Sequence, residues 1–232
     1  MGRIDEIDFL RGLAVILMVI FHIIFDLNYY LGIPVSYSKG FWYYEGKLSA
    51  LMFIFLAGIS VNFSKNYLRR GLKIFSLGIL ITLVTHAIDP DMYVKFGILH
   101  FMGVSYLLSS FFKNRNVPLL LLLSIASIII GIVFDGIRVE NNYLFPLGLI
   151  TDDFASLDYY PVFPYFGVFL LGTAFFKTFY AKGKRLTAGH NKKNFFHLLG
   201  KNSLLIYLLH QPVILGLLFI YKFLIQITQG GF

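Results

Sequence analysis

The chain has no cysteine and a single tryptophan, and only 14% of its 232 residues are charged. Without cysteine there are no structural disulfides, no thiolate nucleophile and no Cys-ligated metal centre. Scarce charge also argues against a soluble domain, because the 57% of residues that are hydrophobic come in long uninterrupted blocks. Acids are few, 12 against 20 lysines and arginines, which leaves a formal charge of +8. That surplus is not a nucleic-acid footprint, since no segment outside the apolar blocks forms a basic folded module. No repeat, low-complexity tract or interdomain linker is visible, so residues 1–232 are expected to form one transmembrane domain.

What is present is a series of apolar segments near 9–31, 48–64, 72–88, 96–112, 117–134, 161–180 and 202–225. Each approaches the roughly 17–25 residues a helix needs to cross the hydrocarbon core. A spanning segment must satisfy its own backbone, so the expected fold is all-α, a polytopic helical bundle of about seven spans. The first segment is too long for a cleavable signal, carries Asp5, Glu6 and Asp8, and is followed by further spans.

Basic residues set the orientation. With the N-terminus inside, the inner segments hold Arg3, Arg11, Lys65, Arg69, Arg70, Lys73, Lys113, Arg115, Lys177, Lys182, Lys184, Arg185, Lys192, Lys193 and Lys201. Only Lys39, Lys47, Lys95, Arg138 and Lys222 fall outside. This asymmetry predicts a cytoplasmic N-terminus and an external C-terminus. The inner loop 182–201 reads as basic, polar and mobile. The outer loop 135–160 contains an apolar piece, Tyr143–Ile150, too short to span and expected to lie at the interface or re-enter.

The first span carries ionisable groups that lipid would not tolerate. At 100° per residue Asp8, Arg11, Val15, Met18, His22 and Asp26 fall close to one line and must face protein or a polar cavity. Intramembrane ionisable residues point to a functional site with a named partner, here His22 with Asp26. A carboxylate within reach of one imidazole nitrogen would fix the tautomer and leave the other nitrogen as general base or proton relay. The alternative is a structural pair that pins the helix. His100, one turn into the fourth span, lies at a depth comparable to His22, whereas His86 reads as a core histidine. Zinc binding by His22, His86 and His100 is disfavoured because the close ligand spacing of zinc motifs is absent. In the last span Ser203, Tyr207 and His210 share a face, with Pro212 expected to kink the helix beyond them. Asp158 and Tyr159 stand at the outer mouth of the sixth span, as a sugar-binding pair or as part of an aromatic belt. Arg11, Arg69, Arg70 and Lys73 are placed to meet an anionic cosubstrate, or simply lipid headgroups.

Four stretches then converge on one resemblance. RIDEIDFLRGLAVILMVIFH (Arg3–His22), FGILHFMGVSYLL (Phe96–Leu108), DYYPVFPYFGVFLLG (Asp158–Gly172) and LLGKNSLLIYLLHQPVI (Leu198–Ile214) resemble bacterial members of the heparan-α-glucosaminide N-acetyltransferase catalytic-domain family. The resemblance implies a membrane acetyltransferase that takes acetyl-CoA from the cytosolic side and delivers acetyl to an amine or hydroxyl of an envelope or extracellular sugar. It implies His22, Asp26 and His100 as catalytic residues, and Arg11, Arg69, Arg70 and His210 on the acetyl-CoA. Asp158 and Tyr159 would bind the acceptor. Acetyl-CoA, a glycan or amino-sugar acceptor and membrane lipids are the implied partners, a homodimer is left open, and neither metal nor nucleic acid is expected. The implied location is the bacterial cytoplasmic membrane. Two other readings stay open: a proton-coupled transporter or flippase with a His/Asp relay, and a catalytically silent scaffold.

Overall fold

The computed structural model describes residues 4–186 and 194–229, so that Arg3, Lys192 and Lys193 of the inner bases lie outside the described residues. Among the described residues eight α-helices follow in order: α1 (Asp5–Leu31), α2 (Gly40–Ser60), α3 (Tyr67–Ile88), α4 (Ile98–Phe112), α5 (Val117–Asp135), α6 (Val162–Thr178), α7 (Phe195–Lys201) and α8 (Ser203–Gln229). Among the described residues extended pairing is confined to two isolated parallel bridges, Phe96 with Tyr159 and Arg138 with Ile150. Six of the helical stretches are long and apolar enough to cross a membrane. The protein is an all-α, multi-pass membrane protein.

Three element boundaries differ from the sequence expectation. α4 has 15 residues rather than the 17 expected, and is about 22 Å long at 1.5 Å per residue. It starts late because Phe96 pairs with Tyr159, and the Gly97 and Ile98 N–H groups are taken by His100 and Asp158. α2 begins at Gly40, eight residues before the expected start, which moves Glu45 from a loop into a helix. The expected inner loop 182–201 ends in a short helix, α7, capped by the Asn194 side chain accepting from the His197 N–H.

By their contacts the residues divide into two compact units, Ile54–Leu186 and Gly2–Phe53 with Thr187–Phe232. In the first, α3 packs on α4 and α5 on α6. The end of α2 meets α6 through paired glycines: a Cβ on Gly58 would overlap the Phe169 carbonyl, and one on Gly172 the Phe55 carbonyl. Small residues allow this approach where lipid supplies no hydrophobic drive between helices. The hydroxyl of Thr173 donates to the Gly58 carbonyl (3.0 Å), and that of Ser124 to the Gly167 carbonyl (2.8 Å).

In the second unit α1 is the centre. Its buried residues include Asp8, Gly12, Val15, Met18 and Asp26, the line that the sequence marks out. α7 lies against its first turns in backbone contact. A Cβ on Gly12 would strike the Phe196 carbonyl, and one on Gly200 the Asp8 carbonyl. α2 runs antiparallel to α1, with the Ser49 hydroxyl on the Ala14 carbonyl (3.0 Å) and Gly46 against the Phe21 ring. α8 runs parallel to it, His210 beside His22, Gln211 on Asp26 and Lys222 on the Tyr30 carbonyl.

Candidate functional site

α1 and α8 bring together a polar centre inside the second unit. His22 Nδ1 lies 2.8 Å from the Met18 carbonyl of its own helix. A carbonyl only accepts, so Nδ1 carries the proton and Nε2 holds the lone pair. His210 repeats the arrangement, Nδ1 donating to the Tyr207 carbonyl at 2.6 Å. The two rings meet edge to face, centroids 4.5 Å apart. His210 is 9% exposed, and its Nε2 has no hydrogen-bond partner among the described residues.

Asp26 stands one turn beyond His22 but binds elsewhere. It is completely buried and accepts from Gln211 Nε2 through both oxygens, at 2.8 and 3.0 Å. The expected His22–Asp26 pair is therefore replaced by two separate holds: backbone on the imidazole and amide on the carboxylate. The cause is local, since a helical imidazole reaches the carbonyl four residues back without any partner helix. Gln211 was missed in the sequence because a neutral amide beside His210 and Pro212 carries no charge signal; its spacing into α8 was the only clue. α8 continues as one helix from Ser203 to Gln229 through Pro212. Proline cannot bond the carbonyl four residues earlier, so the ladder is interrupted in the turn that carries His210 and Gln211.

At the start of α1, Arg11 forms an ion pair with Asp8 at 2.8 Å, the arginine 20% exposed and the aspartate 1%. Arg11 thus neutralises a buried carboxylate.

The remaining candidates lie in the first unit, and there the structure gives several of them bonds that hold the fold. Nδ1 of His100 accepts from the Gly97 N–H (3.2 Å), which makes Nε2 the donor to Thr82 Oγ1 (3.2 Å), whose hydroxyl donates to the Val94 carbonyl (2.7 Å). With both nitrogens engaged, His100 caps α4 and has no lone pair left for a general base, unlike the catalytic role expected of it. Asp158 accepts from the Ile98 N–H at 2.9 Å, a carboxylate at the positive end of α4. The Tyr159 hydroxyl donates to the Phe145 carbonyl at 2.6 Å and its ring packs on Phe154. Burial pushes the Tyr159 phenol well above its ordinary pKa. The apolar piece of the outer loop forms a 3-10 turn, Phe145–Leu147, closed by Asn142, which donates to the Thr151 hydroxyl and accepts from its N–H. Arg70 stacks over the Tyr106 ring (5.3 Å), while Arg69 lines a cleft of about 430 Å³ with Lys65, Asn66, Tyr67 and Leu68. Among the described residues no group of three or more metal-ligating side chains is found.

Two of the expected residues, His22 and His210, are thus brought into contact, with Asp26 beside them through Gln211. Compared with known families, the sequence matches the one described as heparan-alpha-glucosaminide N-acetyltransferase, catalytic, over residues 3–212. No curated protein and no solved structure matches the chain.

Proposed function

Because the chain belongs to the heparan-alpha-glucosaminide N-acetyltransferase catalytic family, we propose that it moves an acetyl group from acetyl-CoA to an amine or hydroxyl of an envelope sugar at the His22–His210 pair. The observation that carries this is the shared tautomer of the two rings. Each has Nδ1–H tied to backbone, so each presents Nε2 as a base, and that of His210 is buried with no hydrogen-bond partner among the described residues. A nitrogen of this kind suits general-base work, which contributes about 10²–10⁴-fold in rate.

In the proposed reaction His22 Nε2 takes a proton from the acceptor as its nitrogen or oxygen forms a bond to the acetyl carbon. The carbon–sulfur bond breaks, and the departing CoA sulfur recovers the proton from the imidazolium. His210, 4.5 Å away, helps hold that proton in a site that excludes bulk water. The Asp26–Gln211 bond fixes α8 against α1 and so sets the spacing of the rings. Arg11, at the start of α1 in the same unit as the two histidines, is the base proposed to meet the CoA phosphates. The proposed location is the bacterial cytoplasmic membrane, with the N-terminus inside.

The test is thermal stabilisation of the detergent-purified protein by acetyl-CoA and CoA, with acetate as control. Stabilisation by both nucleotides, weakened in Arg11→Lys, which keeps a charge beside Asp8 but loses the guanidinium fork, is the expected result. No shift at millimolar concentration would overturn the cosubstrate assignment.

A further inference from the structure

Four buried side-chain atoms of the second unit have no hydrogen-bond partner among the described residues: Oε1 and Oε2 of Glu45, Nε2 of His210 and Oε1 of Gln211. Such atoms are costly to leave unmade, and a carboxylate most of all. All four are acceptors. A carboxylate and an amide carbonyl only accept, and His210 has its proton on Nδ1.

Their residues stand on helices packed along one length of α1. Glu45, 8% exposed, lies one turn before Ser49, whose hydroxyl reaches the Ala14 carbonyl. Its neighbour Gly46 is so close to the Phe21 ring that a Cβ would overlap it, and Phe21 in turn stands edge-on to His22, centroids 5.7 Å apart. His210 touches His22, and Gln211 holds Asp26 one turn further.

We propose that Glu45 is the acceptor-binding residue of this protein, its carboxylate receiving the protonated amine of an amino sugar while the Gln211 carbonyl receives a neighbouring hydroxyl. This rests on the acetyl-transfer reading for the place of the amine. A set composed only of acceptors, one of them anionic, complements an ammonium flanked by hydroxyls. A neutral hexose also needs donors from the protein and is matched less well. Before transfer the ammonium gives one proton to His22 Nε2, which releases it to solvent. The neutral amine then forms the carbon–nitrogen bond as the carbon–sulfur bond breaks, and its second proton passes through His22 to the departing CoA sulfur. Glu45 holds the remaining N–H groups and exchanges no proton itself.

The experiment is calorimetric titration of the detergent-purified full chain with glucosamine, glucose and acetyl-CoA, each alone. Wild type is expected to bind glucosamine at least tenfold more tightly than glucose. Glu45→Gln should lose glucosamine affinity tenfold or more, keep its affinity for acetyl-CoA and show no fall in unliganded Tm, while Glu45→Asp should recover part of the affinity. Unchanged glucosamine affinity in Glu45→Gln, a lowered unliganded Tm in that variant, or no glucosamine binding by wild type would each overturn the assignment. Absence of acetyl-CoA binding alongside Glu45-dependent glucosamine binding would instead overturn the transfer reading and leave Glu45 in place.

Discussion

At His22 the partner of one ring nitrogen decides what the other can do. The Met18 carbonyl accepts from Nδ1–H and so leaves the lone pair on Nε2, and His210 is set the same way by Tyr207. The polar line of α1 was legible, because aspartate, arginine and histidine at helical spacing inside an apolar block have few explanations. The partners were not, since spacing along one helix is silent about which neighbour supplies Gln211 or Glu45. Arg11 and Asp8 form a mostly buried pair, so Arg11→Ala takes a cationic partner from a buried carboxylate. The expected loss is roughly 3 kcal/mol, the low end for a broken buried pair because the arginine keeps some exposure. Chemical unfolding in detergent measures it, and Asp8→Asn with Arg11→Ala should recover part of the loss; an unshifted midpoint in Arg11→Ala would contradict the pairing. Tyr159 gives a pH dependence. Its folded pKa is raised by burial, so its contribution is complete below the ordinary tyrosine value of 10.0 and is lost as pH rises above it. Tyr159→Phe should lower Tm at neutral pH through the lost bond to Phe145 and flatten the alkaline decline above pH 10.0. An alkaline limb identical to wild type would count against the buried phenol.

Helix boundaries explain the two largest departures from the sequence reading. Glu45 was overlooked because it falls just before the second apolar segment, 48–64, yet in the structure α2 starts at Gly40 and buries that carboxylate. The signal available was the i, i+4 spacing of Glu45 and Ser49, which puts both on the face that meets α1. α7 was hidden by its seven-residue length and its basic surroundings. Its docking explains the glycine after Arg11: Gly12 and Gly200 each accept a carbonyl of the other helix where a side chain would be. Gly12→Val and Gly200→Val should each destabilise the protein by about 1–3 kcal/mol, the usual range for overpacking. The measurement is residual folded fraction after heating, by fluorescence-detected size exclusion. Wild-type retention in both variants would contradict the backbone contact.

Over the whole molecule, periodicity and hydropathy were enough for the all-α, multi-pass class, because lipid permits few other solutions. Six helices meet the length expected of a span, and α4 falls short. The chain has no cysteine, so single cysteines report topology without background. Lys184→Cys should react with an impermeant maleimide only after permeabilisation, and Asp153→Cys in intact cells; the reverse pattern would invert the proposed orientation. The most direct test of the central claim is release of CoA thiol from acetyl-CoA with glucosamine as acceptor, comparing wild type with His22→Ala and His210→Ala. The expected result is turnover by wild type and a loss of about 10²-fold or more in each variant, with inserted, folded protein retained. Wild-type turnover in both alanine variants would contradict the assignment of the chemistry to this histidine pair.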